Sequence, residues 1–287
     1  MMMLRKLFGS AAAIAAAAGF ALTAQAAGMD KKLHDSVPEE YKTNGVHVAV
    51  FNDWPPDEFV ENGELKGWSV DMAKAMSEKL GVEFKFEATS FDVIIPGLVS
   101  KRFDAGFSSF GVTAERLKAL DFVPQRREGT AYGSLKGKDY NINSEMDLCG
   151  HSVAVLTGAW DFQYLTKASE EKCKGGKPID LQQFTTQNAA ELAVSSGRVE
   201  LVAAGSAKLQ YLAKQTGKFQ VTTFVSNAVY NGIGLRKDDK LGPVLRDALQ
   251  AMIDDGSYKA LMAKWGVDGS GMLEKAVLVN EANPADK

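Results

Sequence analysis

The spacing of apolar and polar positions changes along the chain in a regular way. Leu7 to Leu22 carries no charge and is mostly alanine, with Arg5 and Lys6 ahead of it and Ala24-Gln25-Ala26 behind it. A basic start, an apolar stretch and a small-any-small end are the layout of a secretory signal peptide, with cleavage expected near Ala26. An alanine-rich run of this length is short and weakly apolar for a span of about 20 residues. Residues 28–45 are polar and mixed in charge and read as a surface lead-in. His47–Phe51 predicts a short strand that Trp54-Pro55-Pro56 breaks, and Asn62-Gly63 predicts a turn. Val70, Met72, Ala73, Met76 and Leu80 recur near helical spacing over 69–80, and Gly81 stops them. Val82, Phe84 and Phe86 alternate with Glu83, Lys85 and Glu87, as in a half-buried strand. A helix is predicted over 91–102 with Pro96 near its first turn, then a strand over 103–110. Thr113 reads as the N-cap of another helix, with Glu115 favoured in its first turn.

A second cycle begins after Gly133. Strands are predicted at 152–157, 179–184, 199–204 and 219–224, with helices at 159–168, 188–196 and 207–215 between them. A short strand at 232–236 and a helix over 241–265, broken at Gly256, precede a tail of about 20 residues. Two α/β cycles with no linker rich in Pro, Gly or Ser predict two lobes joined by short crossing strands, with a ligand cleft between them.

Composition narrows the function. The 287 residues are 45% hydrophobic and 24% charged with a net charge of -3, so there is no basic footprint for nucleic acid or an anionic membrane. The first 26 residues hold two basic side chains and no acid, so the remaining 261 carry a net charge of -5. His34, His47 and His151 lie far apart, and no metal site or cofactor is expected. In an exported chain the lone pair Cys149 and Cys173 is expected to form one disulfide. There is no H-E-x-x-H, Walker loop or G-x-G-x-x-G opening a helix. Gly150-His-Ser152-Val-Ala154 half-matches a nucleophile elbow but stands at the start of a strand. No enzyme is expected on these grounds.

Four segments carry a resemblance. They are Trp54-Pro55-Pro56 followed by Gly63-Glu-Leu-Lys-Gly67-Trp-Ser-Val-Asp71, then Phe91-Asp-Val-Ile-Ile-Pro96-Gly-Leu, then Phe103-Asp104-Ala105 running to Thr113-Ala-Glu115-Arg116, and last Asp255-Gly256-Ser257-Tyr258 with Lys264-Trp265-Gly266. In order and spacing the chain resembles the periplasmic amino-acid-binding proteins of ABC importers, solute-binding family 3. The resemblance implies an α/β, two-lobed periplasmic-binding-protein fold of type II whose hinge is two strands. It implies a first lobe over 27–130 that returns over 227–287, and a second lobe over 131–226 that contains both cysteines. It further implies a periplasmic monomer that captures an amino acid or related small carboxylate and delivers it to a membrane permease.

By the same resemblance Arg116 pairs with the ligand carboxylate, for which a planar guanidinium is suited. Ser109, Phe110 and Gly111 supply hydroxyl and backbone contacts, with Gly111 standing where Ser or Thr is common. Trp54 and Phe91 form an apolar sandwich. The second lobe departs from the family pattern. Ala159 and Trp160, beside Asp161, occupy positions where Ser or Thr is expected, and Gly205 stands where an Asp usually receives the ligand ammonium. Either the ligand lacks a standard α-ammonium or a nearby acid substitutes, with Asp161, Asp53 and Asp57 as candidates. Trp160 would extend an aromatic box of Trp54, Phe91 and Phe51. Two other readings stand beside this one: a secreted enzyme resembling cyclohexadienyl dehydratases, with one of those three acids as its catalytic group, and the ligand-binding subunit of a sensor.

Overall fold

The computed structural model describes residues 28–284 apart from 268 and 270, so the signal peptide expected over 1–26 lies outside the described residues. The helices are α1 (Lys31–Ser36), α2 (Glu39–Asn44), α3 (Trp68–Leu80), α4 (Phe91–Val99), α5 (Trp160–Lys172), α6 (Gln187–Ser195), α7 (Ser206–Thr216), α8 (Leu241–Asp254) and α9 (Ser257–Lys264). The strands are β1 (Val46–Phe51), β2 (Asp53–Trp54), β3 (Glu58–Glu61), β4 (Glu64–Lys66), β5 (Phe84–Thr89), β6 (Ala105–Gly111), β7 (Leu120–Leu135), β8 (Ser152–Leu156), β9 (Asp180–Phe184), β10 (Leu201–Gly205), β11 (Phe219–Val221) and β12 (Ser226–Arg236).

The main sheet runs β5-β1-β6-β12-β7-β10-β8-β9, with β11 added to β7. At one end β5, β1 and β6 are parallel, and at the other β10, β8 and β9 are parallel, each set covered by the helices that connect it. Between them the long strands β7 and β12 pair antiparallel from Leu120↔Arg236 to Thr130↔Ser226. The fold is the two-lobed type II arrangement, and these two strands are its hinge. The apolar residues divide accordingly. One cluster lies under α3 and α8, another under α5, and a third spans the two lobes, bringing Phe51, Trp54 and Phe91 together with Ala154, Leu156 and Ala159.

Local sequence explains the well-read elements. In α3 the helical stripe Trp68, Met72, Ala73, Met76 and Leu80 is buried, and Gly81 ends the helix at φ 61°. Gly256 separates α8 from α9 at φ 79°, a left-handed conformation that costs glycine little. Asn62 and Gly63, both at positive φ, turn β3 into β4.

Several expectations are corrected. The lead-in 28–45 is not bare surface: it forms α1 and α2 and buries Leu33, Val37 and Tyr41. No α-helix follows Thr113. Its Oγ1 accepts the Arg116 N–H at 3.2 Å, but only a 3₁₀ turn over Arg116–Lys118 fits before β7 begins at Leu120. Pro96 lies within α4 and beyond its first turn, and that helix ends at Val99. The strand expected at 232–236 starts at Ser226, and the region around Trp54 is a small three-stranded sheet and not only a break. The tail is tied down, since Val279 pairs with Phe122 and the Arg127 N–H donates to Gly271 O at 2.7 Å.

Cys149 and Cys173 form the expected disulfide, with Cα atoms 5.6 Å apart, joining the end of the 3₁₀ turn Glu145–Leu148 to the end of α5. Closing a loop of about 25 residues is worth about 3 kcal/mol on the chain-entropy model. Replacing both cysteines by alanine is therefore expected to lower the urea midpoint by about 1–2 M at the slope usual for small proteins, with solute affinity little changed. A paired urea titration and binding assay checks both halves.

Candidate functional site

Arg116 sits at the seam of the lobes. The turn that follows β6 buries its guanidinium, 6% of the residue remaining exposed. Nη1 donates to Gly111 O in the first lobe at 2.8 Å, and Nη2 donates to Gly158 O in the second lobe at 2.9 Å. Its Cζ lies 5.6 Å from the ring centres of both Phe91 and Phe110. Among the described residues no carboxylate lies within 4.0 Å of it. Burial draws its pKa down to about 10, opposed most by the charge of Asp161.

The other expected residues gather around it to different degrees. Trp54, Phe91, Ser109, Ala159 and Trp160, with Phe51, Ser108 and Leu156, enclose a void of about 10 Å³, close to the minimum that would admit a single water. Phe51 meets Trp54 at 6.4 Å and Phe91 at 5.5 Å between ring centres. Phe110 does not line that void; its ring packs against Phe91, Phe122 and the Arg116 guanidinium. Asp161, in the first turn of α5, is buried and accepts the Thr130 hydroxyl at 2.5 Å, and its Oδ2 has no hydrogen-bond partner among the described residues. Asp53 stands at the mouth of the cleft, where it accepts the Asn188 N–H from the start of α6 at 2.9 Å.

Two of the departures from the family pattern are filled by side chains from elsewhere in the fold. A Cβ built on Gly111 would stand 2.5 Å from Cγ of Trp160, so the indole fills the space a hydroxyl side chain at 111 would need. A Cβ built on Gly205 would stand 2.7 Å from Oε2 of Glu128, so a carboxylate from β7 occupies the space beside the bare position. Gly205 thus borders Glu128 and not the void around Trp54. Sequence reasoning missed Glu128. The available signal was Arg126 and Glu128, two residues apart and therefore on one face of a strand.

Glu128 anchors a buried polar cluster. It pairs with Arg126 at 2.6 Å and accepts the Ala207 N–H at 2.7 Å, at the start of α7. Ser109 Oγ lies 2.8 Å from Asp57 Oδ2 and 3.0 Å from Glu58 Oε2. Burial raises Asp57 above the usual carboxylate range against the pull of Arg126. It raises Glu58 further, with Asp57 adding to the effect. Glu128 is pushed up to about 7 by burial, against the same guanidinium.

Asp161 is raised to about 6 by burial, opposed by its Thr130 bond and by Arg116. A carboxyl that holds its proton more tightly when folded contributes stability at low pH, and loses it as pH rises through the folded pKa. The wild type is thus expected to lose stability between pH 5 and 7.5. Asp161→Asn is expected to remove about 1–2 kcal/mol of that loss, the remainder coming from Asp57, Glu58 and Glu128. Urea titrations of both proteins at the two pH values test this, and parallel slopes would contradict it.

Comparison with known proteins identifies the family. The family model described as bacterial extracellular solute-binding proteins, family 3, matches residues 46–268. The chain is 30% identical over 250 residues to an arginine-binding protein of Corynebacterium glutamicum, covering 85% of this chain and 81% of that one. It is similar to the solved structure of an ancestral arginine-binding protein bound to arginine, with TM-score 0.70, 32% identity and coverage of 77% and 97%. It is also similar to an ancestral amino-acid-binding protein described as a precursor of cyclohexadienyl dehydratase, with TM-score 0.71, 30% identity and coverage of 79% and 97%. The chain belongs to the bacterial extracellular solute-binding proteins of family 3.

Proposed function

We propose that this protein captures a basic α-amino acid between its lobes outside the cytoplasm and delivers it to the permease of an ABC importer. The observation that carries the reading is Arg116. A buried guanidinium that donates, among the described residues, to one carbonyl from each lobe is poised for a stronger partner, and a solute carboxylate can meet it with two parallel hydrogen bonds. Such a solute touches both lobes at once, so its binding favours the closed form over the open one. Trp54, Phe91 and Trp160 would cover its aliphatic part, with Ser109 and the backbone at Gly111 and Ala159 beside it.

Charge supports a basic solute. Asp53, Asp57, Glu58, Glu128, Asp161 and Glu191 are buried about the cleft, against Arg116, Arg126 and Lys208. The names of the arginine-binding relatives point the same way. The lobes are taken as 27–130 with 227–287, and 131–226. The chain acts as a monomer in the periplasm after cleavage near Ala26.

The test is to unfold the natively purified protein and identify the released small molecule by mass spectrometry. A basic amino acid at about one per chain is expected; a sugar or a dicarboxylate would sink the reading. One observation favours an enzyme instead: the likeness to the ancestral amino-acid-binding protein described as a precursor of cyclohexadienyl dehydratase. Turnover of prephenate or arogenate would establish that alternative.

A further inference from the structure

The position expected to hold the solute's ammonium, residue 205, has no side chain, yet the cleft is rich in acid. Ser109 links the two facts. It lines the void beside Trp54 and Trp160, and its hydroxyl touches both Asp57 and Glu58. Glu128 stands against Gly205 on the other flank of the same cluster, held by Arg126, Ala207 N–H and Asn231. One guanidinium faces three carboxyl groups, and Oε1 of Glu58, fully buried, has no hydrogen-bond partner among the described residues. A single serine hydroxyl has one proton to give, so only one of its two acid neighbours is served by it as donor. An unpaired buried oxygen beside excess carboxyl groups is costly until a cation arrives.

We propose that Asp57, Glu58 and Glu128 together form the subsite for the solute's ammonium group, replacing the acid absent at position 205. This rests on the reading that Arg116 holds the carboxylate, and it makes the α-ammonium a required feature of the solute. The charged groups facing Glu58 are Asp57 beside it and Arg126 and Glu128 from β7, with Lys208 of α7 and Asp161 of α5 acting on its neighbours. Glu58 holds its proton well above the usual carboxylate range in this setting. An arriving ammonium would displace that proton, leaving a carboxylate paired with a cation.

The probes are L-arginine and 5-guanidinopentanoate, which is arginine without its α-ammonium. Solute is first stripped by unfolding and refolding. The wild type is expected to prefer arginine by about a hundredfold or more, the scale of a charged group left unpaired. Glu58→Gln should weaken arginine by about tenfold or more and shift 5-guanidinopentanoate by less than about threefold. Glutamine mimics the protonated acid, so without solute Glu58→Gln should melt within about 2 °C of the wild type. Equal binding of the two probes by the wild type, equal weakening of both by Glu58→Gln, or a solute-free melting drop above about 5 °C would each overturn the proposal. Arg116→Ala separates this from the underlying reading: it should weaken both probes, and unchanged binding there would refute the carboxylate clamp.

Discussion

Arg116→Ala is expected to weaken amino-acid binding by at least about a hundredfold, because removing one partner of a buried charge pair costs about 3–5 kcal/mol. The variant loses two things. It loses the fork that would take the carboxylate, and it loses the strap from Gly111 O to Gly158 O that joins the lobes. Arg116→Lys separates them. A lysine keeps the charge but presents a point and not a fork, so it should recover only part of the affinity. Calorimetric titration of the three proteins checks the order wild type, Lys, Ala. Equal affinities would show that the carboxylate is held elsewhere.

Gly205→Asp, which would restore the family's usual residue, is expected to damage this protein. The new Cβ would lie within 2.7–3.0 Å of the carboxyl atoms of Glu128, which is buried and already bonded to Arg126 and Ala207 N–H. Steric overlap and a second buried carboxylate act together, and the expected loss is about 3–5 kcal/mol. For a chain of this size that lowers the melting temperature by about 6–20 °C. Glu128→Ala in the same chain frees the space, so the double variant should recover most of the loss. The double-mutant cycle measures the coupling directly. Additive losses would mean that Gly205 and Glu128 do not exchange one place.

The same pairs show what could and could not be read along the chain. The stripe on α3, its stop at Gly81 and the break at Gly256 are local patterns, and the structure repeats them. The hinge strand β7 is different. It is buried on both faces and carries Gln125, Arg126 and Glu128 in its centre, so neither alternation nor an apolar run marks it. The partners of those polar side chains lie far away in sequence: Asn231 and the Ala207 N–H meet Glu128, and the Gln125 amide lies 3.4 Å from Ser69 Oγ. Positions 111, 159, 160 and 205 were legible as departures, since each lacks an expected side chain. Their compensation was not legible, because Trp160 against Gly111 and Glu128 against Gly205 are contacts between residues far apart in sequence that only the folded chain brings together.

The proposed function centres on a basic α-amino acid that bridges the lobes at Arg116. It is tested most directly by titrating refolded, solute-free protein calorimetrically with each proteinogenic amino acid. One or a few basic amino acids should bind one per chain with a Kd in the micromolar range or tighter, about -8 kcal/mol or more. No saturable heat from any amino acid, or binding confined to acidic ones, would contradict it.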